Sequence, residues 1–205
     1  MKPVLTLIGL VIGSLVVAGC ATTQSQVANG LYTSPHENFT VPVPNMGLGL
    51  RIQDQTFETS GFVSFHDDFG ELRRIDYSPL PANATVVYRD LIQNVVLPDM
   101  QSRFPGTKML HEELLNTDER EEYFFVFEIP GGSPLVDMKT ETRMNSTRGY
   151  LYFMSGGYIY SLSAQQSGIG DLFSKNEKDE ATTSKSFDDL LGSLNRFKET
   201  VQFKG

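Results

Sequence analysis

The chain has one cysteine in 205 residues, no tryptophan and three histidines. A single thiol excludes an internal disulfide, so nothing covalent staples the fold. Stability has to come from buried apolar surface, with 14 Phe and 8 Tyr as the heaviest contributors. Positive charge is also scarce. The 17 Lys and Arg face 25 Asp and Glu, a net charge of −8. That balance argues against nucleic acid and against broad electrostatic binding to anionic lipid. No apolar run reaches the roughly 20 residues that carry a helix across a hydrocarbon core. HExxH, CxxC, G-x-S-x-G and the alternating oxygens of an EF-hand are all missing. No catalytic residue, metal or cofactor is therefore expected.

What is present begins at the N-terminus. Lys2 precedes an uncharged run from Val4 to Ala18, and the run ends in LVVAGC, with the sole cysteine at Cys20. A charged start, a short apolar stretch and small residues before a cut are the marks of a secretory signal. Val17, Ala18, Gly19 and Cys20 resemble the lipobox of bacterial lipoproteins. The resemblance implies a diacylglyceryl group on the Cys20 thiol, cleavage before it and acylation of the new amine. Several acyl chains give the stable anchoring that one chain does not, each buried CH₂ contributing ~0.8 kcal/mol. Ala21 stands where an Asp retains enterobacterial lipoproteins in the inner membrane, so the resemblance implies export to the outer membrane, facing the periplasm. The expected division is a signal over 1–19, a lipidated tether over 20–31 and one domain over 32–205. The tether reads ATTQSQVANG, small and uncharged. The 14 steps from Cys20 to Ser34 give it a reach of at most roughly 50 Å.

The rest is dense in strand signals. NFTVPVP carries Phe39, Val41 and Val43 at period two, and its prolines confine it to a sheet edge. GFVSFHDDFGELRRIDY reads as a hairpin, with strands from Phe62 to Phe65 and Leu72 to Tyr77 around a turn of Asp67, Asp68, Phe69 and Gly70. Residues 84–104 switch to helical spacing through Val87, Leu91 and Val95, and Pro98 is expected to end or kink that helix. TKMLHEELL, EEYFFVFEIP, LVDMKTETRM and RGYLYFMSGGYIYSLSA follow as strand-like runs, the last dividing at Ser155, Gly156 and Gly157. After a polar stretch over 167–185, expected as a loop, Phe187, Leu190, Leu191, Leu194, Phe197 and Val201 share one helical face, capped by Ser186 with Asp189. Connections this short suit antiparallel neighbours, so the fold class is α+β, an antiparallel sheet with helices packed on its faces. The opening YTSPHENFTVPVP, the hairpin, the RGYLYFMSGGYIYSLSA pair and the closing helix together resemble the PsbP/Mog1 fold. That fold class hosts different functions, so it implies architecture and no site.

Few residues stand out as chemistry. His36, His66 and His111 lie in separate segments, with Asp67, Asp68 and Glu112 as the nearest carboxylates for a metal, but their spacing matches no ligand motif. HDDFGE packs three carboxylates into six residues, and a hairpin turn selects the same residues for its backbone angles. Ser155 and Ser167 lack a nucleophile elbow. The aromatic strands read largely as core, with Tyr150, Tyr152, Tyr158 and Tyr160 as candidate interface residues on a solvent side. Two functions follow. The first is a lipid-anchored, non-enzymatic module that binds another envelope protein. The alternative is a small-ligand or hydrolytic domain using a pocket between sheet and helix.

Overall fold

A computed structural model describes residues 26–81, 86–117, 120–137, 140–166 and 180–204. Strands β4 (Arg51–Thr56), β5 (Gly61–His66), β6 (Leu72–Pro79), β7 (Lys108–Asn116), β8 (Glu121–Ile129), β11 (Ser146–Ser155) and β12 (Tyr158–Gln166) form one sheet in the order β4-β5-β6-β12-β11-β8-β7. Every pairing in it is antiparallel. The expected β5–β6 hairpin forms, with Phe65 against Arg73. The β11–β12 turn falls on Gly156 and Gly157, whose φ values of 54° and 77° lie in the left-handed region that glycine enters most readily. Two-residue strands β9 (Val136–Asp137) and β10 (Thr142–Arg143) make a small separate hairpin.

The YFFVF run explains why the sheet is covered on both faces. Tyr123, Phe125 and Phe127 turn one way and Phe124 and Val126 the other, each buried in a different cluster. The first face lies under the helical residues 88–103, which bury Tyr88, Leu91, Ile92, Val96 and Met100 against Phe125, Phe127, Tyr150 and Tyr152. That helix is α1 (Tyr88–Leu91), a π-helical turn (Ile92–Val96) and α2 (Leu97–Arg103). Pro98 was expected to stop or kink it. Instead the Leu97 amide donates to Ile92 O, five residues back, and the helix runs on. Widening the turn by one residue accommodates a ring that would clash with the carbonyl four residues before it.

The opposite face carries α3 (Glu180–Thr200), laid across β11 and β12, and a second sheet in the order β1-β2-β3-β13. Leu190, Leu194 and Phe197 of α3 are buried there with Phe65, Phe124 and Leu151. The helix begins at Glu180, so the stretch expected as loop up to 185 is helical in its last residues and Ser186 is not a cap. It ends at Thr200, and Gln202–Phe203, expected as helix, is strand β13.

In the small sheet β1 (Val27–Ala28) pairs with β2 (Leu31–Thr33), β2 with β3 (Phe39–Pro42), and β3 with β13. Strand β3 is thus interior and not an edge. Pro42 is tolerated because β13 pairs only with Phe39 and Thr40, so no bond on that side needs its missing N–H. Strand β1 lies inside the stretch expected as tether. Asn29 and Gly30, at φ 52° and 74°, form the two-residue turn with both central residues left-handed that an Asn-Gly pair selects. Cys20 and the signal expected over 1–19 lie outside the described residues.

Candidate functional site

The four tyrosines do not make one surface. Tyr152 pairs with Ser161 and Phe153 with Tyr160, so Tyr150 and Tyr152 face the 88–103 helix while Tyr158 and Tyr160 face the small sheet. Nor do they lie on a solvent side. Tyr160 is fully enclosed, Tyr150 and Tyr152 are 8% exposed and Tyr158 is half-buried. The Phe125 and Tyr150 rings stack at 5.0 Å, and Phe153 stacks on Tyr160 at 5.6 Å. Burial pushes the phenols of Tyr32, Tyr152 and Tyr160 far above the usual range. The expectation of an exposed tyrosine face is corrected: β11 and β12 are central strands, and aromatic residues on both of their faces are core.

The histidines are equally dispersed. His36 Nε2 lies 3.0 Å from Glu58 O, which can only accept, so in the neutral ring Nδ1 accepts from the Tyr77 hydroxyl at 2.9 Å. Burial raises that phenol to about 12. His66 sits at the end of β5, where burial and the neighbouring Arg51 lower its pKa. His111 on β7 stacks at 5.2 Å on Phe187 of α3. Among the described residues no three His, Cys, Asp or Glu side chains come together as a metal site.

HDDFGE folds as a turn and loop lock. Asp67, 7% exposed, accepts from the amides of Phe69 and Glu71 at 3.0 and 2.9 Å through Oδ1, and from that of Gly47 at 3.1 Å through Oδ2. Asp68 pairs with Arg51, and Glu71 with Arg73 at 3.1 Å. Ser155 ends β11, and Ser167 lies outside the described residues.

A cleft of about 660 Å³ opens between the ends of β7 and β8 and the side of α3, a sheet–helix pocket of the kind the alternative reading calls for. Leu114, Leu115, Leu191, Asn195 and Lys198 line it. At its floor Glu122, 1% exposed, accepts from Lys198 Nζ at 2.9 and 2.7 Å and from Arg120 Nε at 2.9 Å. Arg120 in turn lies 4.5 Å over the Phe153 ring. The carboxylate is consumed by two internal cations, so the cleft holds an ion cluster that ties α3 to β8. Sequence reading missed this triad, because nothing in EEYFFVF marks which Glu turns inward.

Two edges of the large sheet remain. Strand β4 exposes only polar residues, whereas β7 exposes Leu110 at 42% and Leu114 at 48%. The pairing of β7 with β8 shifts between Met109 and His111, a bulge of the kind that re-aims side chains at an edge.

No known family and no curated protein matches the chain. Solved structures do. The cyanobacterial PsbP protein CyanoP of Synechocystis aligns over 93% of this chain and 99% of its own, with a TM-score of 0.50 at 13% identity. The Ran-binding protein Mog1p of Saccharomyces cerevisiae aligns over 84% and 94%, with a TM-score of 0.45 at 10% identity. Identities this low speak to architecture alone. The antiparallel sheet with helices on its faces is a PsbP/Mog1-like α+β fold.

Proposed function

We propose that this chain is a lipid-anchored protein of the bacterial outer membrane, facing the periplasm, that works as a non-enzymatic module binding another envelope protein. The observation that carries the anchor is the sole cysteine, which ends VAGC after a short apolar run. The binding surface assigned to it is the β7 edge. An edge strand with unpaired N–H and C=O groups and two exposed leucines accepts an added strand from a partner, backbone bonds giving affinity and the leucines giving apolar contact. The small-ligand or hydrolytic reading places its ligand in the cleft beside α3. It is the weaker of the two, because Glu122, the enclosed acid there, is already bonded to Lys198 and Arg120.

Cell fractionation tests the anchor: Cys20→Ser is expected to move the protein from the membrane to the soluble envelope fraction, and unchanged membrane retention would sink it. Crosslinking followed by pull-down tests the partner. A reproducible envelope protein is expected with the unaltered chain and is expected to be lost with Leu110→Asp/Leu114→Asp. Recovery of the monomer alone counts against the module.

A further inference from the structure

The loop before β4 and the β5–β6 turn meet at one end of the sheet. A Cβ on Gly47 would stand 2.8 Å from the Phe69 ring, and Asp68 N donates to Leu48 O at 3.0 Å. With Gly47 N bonded to Asp67, these contacts fix two loops into a single tip. The tip turns its apolar side chains outward: Leu48 is 76% exposed, Phe69 46% and Leu50 37%. Its charges turn inward or pair. Asp67 is spent on three backbone amides, Asp68 on Arg51 and Glu71 on Arg73. The result is an apolar crown on a convex end, with a collar whose charges nearly cancel.

We propose that this tip rests on the lipid bilayer, with Leu48 and Phe69 seated in the interface. The inference rests on the lipid anchor at Cys20 proposed above. The occupant follows from the length of chain between anchor and fold. The described residues begin at Gln26, six steps from Cys20, so the anchor lies at most ~20 Å along the chain from the fold. A fold of this size is roughly 40 Å across. A leash half the width of the fold keeps the end of the domain nearest Gln26 within reach of the lipid surface. The tip is at the favoured end. The β1–β2 turn sits beside it, since Val43 N donates to Gly30 O and four residues further on Gly47 reaches Asp67. Leu31, next to that turn, adds a fourth exposed apolar side chain at 37%. A convex crown of Leu and Phe with no basic cluster suits insertion among zwitterionic headgroups, driven by apolar area and not by charge.

The absence of tryptophan makes the test direct, because Phe69→Trp is then the sole indole in the chain. The chain from Cys20 onward, which contains every described element, is coupled through its only thiol to a maleimide phospholipid in phosphatidylcholine vesicles. Emission is recorded with ordinary and with acyl-brominated lipid. The Phe69→Trp reporter is expected to shift to the blue and to lose intensity to the brominated chains, and Leu48→Trp gives a second reading should the first disturb the turn. A Leu114→Trp control on β7, five strand spacings or roughly 24 Å across the sheet from β5, is expected to keep its emission. Unquenched emission at both tip reporters, the result if the tip meets a protein instead, overturns the proposal, as does equal quenching at tip and control. Chemical coupling supplies the anchor whether or not cells lipidate Cys20, so failure here is distinct from failure of the Cys20→Ser fractionation.

Discussion

Glu122 and Asp67 are the two carboxylates buried among the described residues, and they are satisfied in opposite ways. Asp67 is held by backbone amides and shapes a turn, whereas Glu122 is held by the side chains of Lys198 and Arg120 and joins a helix to the sheet. Taking one partner from a buried ion cluster leaves an uncompensated charge, at a cost of about 3–5 kcal/mol. Glu122→Ala strands two cations, and it is expected to lower the urea midpoint by that much stability. Replacing the cluster whole with apolar residues of similar volume, Glu122→Leu/Lys198→Met/Arg120→Met, is expected to recover most of the loss. A triple variant no more stable than Glu122→Ala would mean that the cluster contributes by packing geometry and not by charge balance.

At the scale of the element, the contact between α3 and the sheet turns on one residue. A Cβ on Gly149 of β11 would meet Leu194 Cδ1 and a Phe124 ring carbon at 3.3 Å and Leu190 Cβ at 3.5 Å. A single methyl asks its neighbours for a few tenths of an ångström, but the two further methyls of Gly149→Val have nowhere to go. That variant is expected to lose about 1–3 kcal/mol by denaturant unfolding, against a smaller change for Gly149→Ala. The β5–β6 hairpin and the amphipathic stripe from Phe187 to Val201 were legible in the sequence, because period two and period 3.6 report burial directly. Three other features were not. Ala28-Asn29-Gly30-Leu31 is a strong turn signal, but the small, polar stretch that precedes Val27 gives no strand signal, and a strand of two residues has no period to read. The π-helical turn before Pro98 depends on a backbone register that composition does not encode. The tyrosines of β11 alternate with Leu151 and Phe153 and those of β12 flank Ile159, and alternation cannot distinguish a half-exposed strand from one covered on both faces. The candidate surfaces were harder still, since an edge strand and an apolar tip are defined by what fails to pair with them.

For the whole molecule, the proposed lipid anchor at Cys20 would stand only six steps from Gln26, the first described residue. Under that proposal a tether reaching Ser34 would let the domain sample a wide shell above the membrane, whereas one ending at Gln26 would keep it close to the surface. Confinement raises the effective concentration toward membrane-bound partners, which falls as the −3/2 power of linker length once the span can be met. A random-coil linker of six residues has a root-mean-square extent of about 13 Å, and one of 26 has about 28 Å. Inserting 20 Gly/Ser residues between Cys20 and Gln26 therefore dilutes the domain roughly ninefold while leaving every described element intact. With a partner below saturation, the yield of the crosslinked envelope complex is expected to fall by up to that factor, and membrane retention is expected to stay the same. A Gly30→Val change, which strains a residue at φ 74° and loosens β1, is expected to move the yield in the same direction by a smaller amount. A crosslink yield indifferent to the insertion would show that the domain finds its partner by affinity alone, and the short leash would then have no part in its work.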